Sequence, residues 1–331
     1  MSETLRWGIV GTGDICRQFA SDLALLDDAA LLAVASRREE TANAFGDRFA
    51  IPKRHSSYES LADDPDVDVV YIGTPHPYHM ENALLFLRHG KHVLCEKPLA
   101  MNTGQVEAIF ECAEANDRFV MEAMWMYFFP AMRKARALLE EGAVGAIHFL
   151  RADFCFEVEF DARHRLFNPE LGGGALLDTG IYPLALAQMV FDEEPVHIAS
   201  RVRKGPTGVD ALSSILLEYP SGGVASLNNS LLFHTPQEAV IAGSEGTLII
   251  PPRFSQPDRL RVQRGDAVEA HEFEREGFGY YYEAAEVTGC IRDGVRESRI
   301  MPWDASRLLH QTMDRIRDQW DLRYPMEAPP S

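Results

Sequence analysis

The chain has 331 residues, 46% of them hydrophobic and 25% charged, with a formal net charge of −18. This is a globular composition with room for two domains of ordinary size. The acidity argues against nucleic acid or an anionic membrane as the main partner, since both need a basic face. Five cysteines form no CxxC pair and no zinc-type spacing, which predicts reduced thiols, no metal site and a cytoplasmic location. Met1 to Arg6 carries no apolar h-region, and the longest purely apolar run, Ala29 to Ala35, is too short to cross a bilayer. No secretory signal and no membrane span are therefore expected.

The first elements in chain order are the most informative. Arg6 to Val10 reads as a strand, Gly11-Thr12-Gly13-Asp14-Ile15-Cys16 as a glycine turn, and Arg17 to Leu26 as the helix leaving it. In that context the glycines let the backbone approach a pyrophosphate, and the helix N-terminus offers N–H groups and partial positive charge. Cys16 holds the last position of the G-x-G-x-x-G/A pattern as a small packing residue. Strand two, Leu31 to Ala35, ends in Ser36-Arg37-Arg38, with no carboxylate before Glu39. An acid at that position would bind a free ribose hydroxyl, whereas a hydroxyl followed by two guanidiniums suits a 2′-phosphate. The expected cofactor is NADP in preference to NAD.

Strands over Val67–Ile72, His92–Cys95 and Phe119–Glu122 then alternate with helices over His79–Gly90 and from Asn102 or Thr103 to Asn116. This is the pattern of a parallel α/β sheet, whose ligands bind beyond the carboxyl ends of its strands. Thr74, Glu96, Lys97 and Trp125 all fall at or just past those ends. Lys97 precedes Pro98, which biases it toward an extended, held conformation, and an ammonium held near a nicotinamide assists proton transfer.

After a helix over Pro130–Glu141, strands dominate: 147–156, 196–202, 212–219, 224–231, 238–242, 247–250 and 260–263. Helices over Gly174–Phe191 and Tyr280–Asp293 interrupt them, and an amphipathic helix runs from Trp303 to Trp320. The division expected is a Rossmann dinucleotide-binding domain over 1–124 and an α/β domain with a large open, mostly antiparallel sheet over 125–331. Ser213, Ile215, Leu217 and Tyr219 alternate as an apolar face suited to a subunit contact. In Gly172-Gly173-Gly174-Ala175-Leu176-Leu177-Asp178, continued through Tyr182, the spacing puts Asp178 and Tyr182 on one helix face. A carboxylate and a phenol facing a lysine form a proton-handling set, because a nearby ammonium lowers the phenol's ordinary pKa of about 10.

The chain resembles the Gfo/Idh/MocA oxidoreductases along almost its whole length, through Gly11–Ile15, Gly73-Thr74-Pro75-His76-Pro77-Tyr78-His79, Glu96-Lys97-Pro98 and the Gly172–Tyr182 block. Glu122-Ala123-Met124-Trp125 and Phe128-Phe129-Pro130 match the branch of dimeric dihydrodiol and D-xylose dehydrogenases. The resemblance implies Tyr182 as acid/base, Lys97 tuning it, and Asp178 orienting substrate or the lysine. It further implies that Thr74, Pro75, His76, His79, Glu96 and Trp125 line the cofactor site, that Ser36 and Arg37 contact the 2′-phosphate, and that the open sheet makes a homodimer or a dimer of dimers. Its C-terminal helix is expected to pack back toward the first domain. The branch has Arg two residues after the tryptophan, where this chain has Tyr127, so dihydrodiol or xylose specificity does not carry over with the motif. Arg163, His164 and Arg165 read as a solvated loop that can also contact substrate. The expected activity is hydride transfer between a nicotinamide and a carbinol carbon of a sugar, polyol or cyclic diol. Two alternatives stand beside it: an NAD-dependent enzyme of an inositol, keto-sugar or anhydro-sugar, and a catalytically silent cofactor-binding regulator.

Overall fold

The computed structural model describes residues 4–327. Residues 1–3, within the stretch expected to lack a secretory signal, and 328–331, the end of the expected second domain, lie outside the described residues. The chain divides into two units. One runs through Phe128 and takes back Arg275–Ser306; the other comprises Phe129–Glu274 and the chain from Arg307 onward.

The first unit is built from β1 (Leu5–Val10), α1 (Asp14–Leu23), β2 (Ala29–Ala35), α2 (Glu39–Phe49), β3 (Lys53–His55), α3 (Tyr58–Ala62), β4 (Val69–Ile72), α4 (His79–Arg88), β5 (His92–Glu96), α5 (Thr103–Ala115) and β6 (Val120–Ala123). Its sheet has the order β3-β2-β1-β4-β5-β6, and every pairing in it is parallel. All of β4 is buried, and Val10, Val70, Val93 and Val120 join the apolar cluster beneath α4 and α5. Strands covered on both faces read as continuous apolar runs, which is why these were visible in the sequence. The edge strand β3, Lys-Arg-His, has no such pattern and was not anticipated. Asn102 caps α5 by accepting the Gln105 N–H at 3.0 Å.

The second unit holds α6 (Pro130–Glu140), β7 (Ile147–Cys155), a π-turn over Leu176–Gly180, α7 (Ile181–Phe191), β8 (His197–Lys204), β9 (Asp210–Glu218), β10 (Val224–Ser230), β11 (Ala239–Gly243), β12 (Thr247–Ile250), β13 (Arg259–Arg264) and β14 (Ala267–Glu272). Its sheet order is β14-β13-β12-β11-β7-β10-β9-β8, antiparallel except for β10 against β7. One stretch among the described residues, 169–191, is long and apolar enough to cross a bilayer, and 83% of its most apolar window is buried within the protein. It is a core segment that carries α7.

Two expectations need correction. Arg275–Ser306, placed by sequence in the second domain, belongs to the first unit. The cause is Asp22 of α1, whose buried carboxylate accepts the N–H groups of Phe278, Gly279, Tyr280 and Tyr281 at 2.8–3.3 Å and so caps α8 (Tyr280–Arg292). The division between units falls inside α9 (Trp303–Gln319). In the first unit, the Trp303 indole donates to the Val120 carbonyl at 3.0 Å. The second correction concerns β9. Ser213, Ile215, Leu217 and Tyr219 are buried inside the second unit, with Tyr219 stacked on Phe191 of α7 at 4.0 Å. They therefore offer no face to a partner. The opposite face carries Leu216, which is 38% exposed, and on β7 Phe149, which is 39% exposed. Alternation announces two faces without saying which one the chain itself covers.

Candidate active site

The first unit gathers its candidate residues at the carboxyl ends of β1, β2, β4 and β5. Gly11 has φ +107°, and a Cβ there would meet the Gly73 carbonyl oxygen at 3.1 Å. Gly13 is the N-cap of α1 and no side chain caps that helix; nothing lies within 4 Å of where a Gly13 Cβ would be. An uncapped helix N-terminus with open space before it fits the pyrophosphate of a dinucleotide. Thr12 and Ile15 are partly exposed on either side, and Asp14 is solvated and paired with Arg17 at 2.6 Å. Cys16 is fully buried, with Sγ 3.6 Å from the Gly73 carbonyl, and burial pushes its thiol up to about 12. It packs the turn.

At the end of β2, Ser36 lies 2.6 Å from the Thr41 hydroxyl, which itself donates to the Arg38 carbonyl at 2.9 Å. Ser36 thus donates to Thr41 and holds the turn, leaving the exposed Arg37 and Arg38 as the cationic groups beside it. The Arg37 guanidinium lies over the Tyr78 ring, 5.6 Å from its centroid.

After β4, Thr74 Oγ1 accepts from Asn82 at 3.0 Å, and Pro75 leads into a short 3-10 turn, His76–Tyr78. His79 is fully buried, with Nδ1 2.8 Å from the Pro98 carbonyl and Nε2 2.7 Å from that of Thr74. Burial lowers its pKa, although the two carbonyls favour the charged ring. His79 ties the β4 and β5 turns together and does not itself line an open surface, whereas His76, packed edge-on to it at 5.7 Å, is partly exposed.

Glu96 ends β5. Its Oε1 accepts the Tyr71 hydroxyl at 2.5 Å and its Oε2 the Lys97 N–H at 3.2 Å. Lys97 is partly exposed, and the Lys97–Pro98 peptide is cis. The turn that follows is pinned by buried Glu122, which accepts from the Leu99 N–H at 2.9 Å and the Ser306 hydroxyl at 2.7 Å. Trp125 stacks on Tyr280 at 4.7 Å. Glu283, one turn along α8, is fully buried, and neither carboxyl oxygen has a hydrogen-bond partner. Burial raises its pKa well above the carboxylate range, with Glu96 and Asp22 adding to the shift. Tyr71, Tyr280 and Glu283 escaped sequence reasoning because each reads as ordinary core; the Tyr280-Tyr281-Tyr282 run was the one local signal.

The second unit holds Asp178 and Tyr182. The π-turn widens the helix start where they sit, a distortion frequent at functional sites. Asp178 is 7% exposed and accepts from Arg165 Nη1 at 2.9 Å. That pair makes Arg165, but not the exposed Arg163 and His164, a neighbour of the candidate residues. Tyr182 is 7% exposed, and its ring packs 5.1 Å from Phe154 of β7. The turn before them is fixed from below. Gly174 has φ +135°, and a Cβ there would fall 2.1 Å from Asp210 Oδ1, while Asp210 Oδ2 accepts the Leu176 N–H at 2.6 Å. Tyr127, where the branch has arginine, is buried in the first unit at 5% exposure. Among the described residues, no group of three or more His, Cys, Asp or Glu could hold a metal ion.

A doubly wound parallel sheet with a dinucleotide cradle, followed by a mostly antiparallel sheet, defines an NAD(P)-dependent oxidoreductase of two-unit design. Residues 5–124 match the model of the oxidoreductase family with an NAD-binding Rossmann fold, and residues 132–249 match the GFO/IDH/MocA C-terminal domain. The chain belongs to the GFO/IDH/MocA family of oxidoreductases. It is 37% identical over 330 residues to trans-1,2-dihydrobenzene-1,2-diol dehydrogenase of Xenopus tropicalis, covering 97% of this chain and 99% of that one. Against the human enzyme of that name it is 35% identical over 334 residues, covering 98% and 99%. Among solved structures it resembles a 3-ketoreductase from Actinomadura kijaniata in complex with NADP and TDP-benzene, with TM-score 0.85, 26% identity and coverage of 96% and 98%. It also resembles an aldose-aldose oxidoreductase from Caulobacter crescentus complexed with glycerol, with TM-score 0.86, 25% identity and coverage of 96% and 97%.

Proposed function

We propose that the protein is an NADP-preferring dehydrogenase acting on a carbinol carbon of a cyclic diol, polyol or sugar. The observation that carries this reading is that one chain keeps both an uncapped dinucleotide cradle and the Glu96–Lys97 turn and Asp178–Tyr182 helix face. The names of its relatives support the substrate class, and Arg37 and Arg38 after β2 support the phosphorylated cofactor. The nicotinamide, when bound, supplies the hydride acceptor or donor. Tyr182 takes the proton of the carbinol hydroxyl, or returns it in the reverse direction. In this reading Lys97 serves as the electrostatic partner of Tyr182, since an ammonium beside a phenol favours the phenolate. Phe154 fixes the phenol ring, and the Arg165–Asp178 pair presents one acceptor and one donor edge to neighbouring substrate hydroxyls. Reduced thiols favour a cytoplasmic location, and the exposed sheet face of the second unit favours a homodimer.

Lys97→Met and Tyr182→Phe test the assignment. Each should lower kcat by about two to four powers of ten, as expected for lost acid–base catalysis, with NADP affinity retained. Near-normal turnover in either variant refutes the roles given to these residues.

A further inference from the structure

The turn Gly172-Gly173-Gly174 leads into the segment that carries Asp178 and Tyr182, and it has no side chains with which to fix its own shape. Gly172 and Gly174 lie at φ +67° and +135°, and glycine keeps one conformation only where its surroundings impose it. Here they do so from two sides. On one, the N–H groups of Gly173 and Gly174 donate to the Asn168 and Leu166 carbonyls at 3.0 and 2.9 Å. On the other, Asp210 Oδ1 fills the place that a Gly174 Cβ would take, and the Tyr324 hydroxyl lies 3.3 Å from that same point.

Tyr324 follows the end of α9 and is held there by an ion pair. Arg317, in the last turn of that helix, is buried, and its guanidinium lies over the Tyr324 ring, 5.2 Å from the centroid. It bonds both carboxyl oxygens of Glu327, Nη1 to Oε2 at 2.8 Å and Nη2 to Oε1 at 3.0 Å, and Nη2 also reaches Asp314 at 2.7 Å. Glu327 Oε2 accepts the Tyr324 N–H as well, at 3.0 Å. A two-pronged guanidinium–carboxylate bond fixes plane and distance together, so one pair ties the end of α9 to both the backbone and the ring of Tyr324. The turn over Pro325–Glu327 lies against the turn over Pro169–Leu171, the residues just before the glycines. Every group in this clamp belongs to the second unit.

We propose that Arg317 and Glu327 are positioning residues for the active site: their ion pair seats Tyr324 against Gly174 and so sets where the π-turn presents Asp178 and Tyr182. The inference rests on the roles proposed above for Asp178 and Tyr182, and it adds residues that touch neither substrate nor cofactor. Amide hydrogen exchange and steady-state kinetics on the full-length protein test it, with the best substrate from a panel of cyclic diols, polyols and sugars. Glu327→Ala should speed exchange over residues 172–182 about tenfold while β12–β14 keep the wild-type rate. It should lower kcat about ten- to a hundredfold, the scale of a 1 Å misplacement, with NADP affinity within about twofold. Glu327→Gln keeps the side chain's length and one acceptor for Arg317, so it tests the same point if the alanine variant does not fold; it should lower kcat about threefold. Adding Tyr324→Ala to Glu327→Ala should cost no more than about a further twofold, because the two act through one contact. Val262→Ala truncates a buried side chain on β13; it should lower the melting temperature and leave kcat within about twofold. Unchanged kcat in either folded Glu327 variant overturns the inference and leaves the proposed function standing. So does an equal loss of kcat in Val262→Ala, or a further tenfold loss in the double variant. Near-normal turnover in Tyr182→Phe, or no turnover of any panel member by the wild type, overturns the proposed function and this inference together.

Discussion

Asp210 is the side chain on which residue-scale chemistry and the helix bearing Tyr182 meet. It is fully buried, and burial raises its carboxyl to a pKa of about 7; the Leu176 N–H bond and Arg317 oppose the shift without cancelling it. An unfolded aspartate titrates near 3.9, so between about pH 4 and pH 7 the folded state binds the extra proton. Stability contributed by the neutral form is therefore complete below about pH 4 and is lost as pH rises through 7. Asp210→Asn keeps an acceptor for Leu176 and offers an amide to the Tyr324 hydroxyl, which is buried without a partner. The expected result is a melting temperature that falls less between pH 5 and pH 8 in Asp210→Asn than in the wild type. Parallel curves for the two proteins contradict the assignment.

The elements divide into those that the sequence announces and those that it conceals. The β1–α1 turn, the Glu96–Lys97 turn and the Asp178–Tyr182 spacing were legible because each couples a backbone requirement to a chemical group within a few residues. β3 was hidden because an edge strand of Lys-Arg-His has no apolar period. The inward face of β9 was misassigned because alternation is symmetric between covered and open faces. The place of α8 was illegible because its cap, Asp22, is more than 250 residues away. That cap is testable. Asp22→Ala leaves several α8 N–H groups buried and unpaired, which should cost about 2–3 kcal/mol in urea unfolding, with Asp22→Asn intermediate. Gly174→Ala should cost about 1–3 kcal/mol through positive-φ strain alone, and more through the overlap with Asp210. A wild-type midpoint in either alanine variant contradicts the packing described. Arg165 could not be told from Arg163 and His164 in the sequence, because what singles it out is its bond to Asp178, 13 residues on.

At the scale of the whole molecule, assembly and activity are the properties to be measured. Phe149 and Leu216 on the exposed sheet face favour a dimer; light scattering should give twice the chain mass, and Leu216→Arg should shift it toward the single chain. A monomeric wild type contradicts that reading. The central claim is hydride transfer, which separates an enzyme from a silent cofactor-binding protein of the same fold. Purified protein is incubated with NADP and a panel of cyclic diols, polyols and sugars, each deuterated at the carbinol carbon. The account predicts NADP reduction matched mole for mole by carbonyl product, with deuterium on C4 of the nicotinamide. Tight NADP binding without reduction by any member of the panel would contradict it.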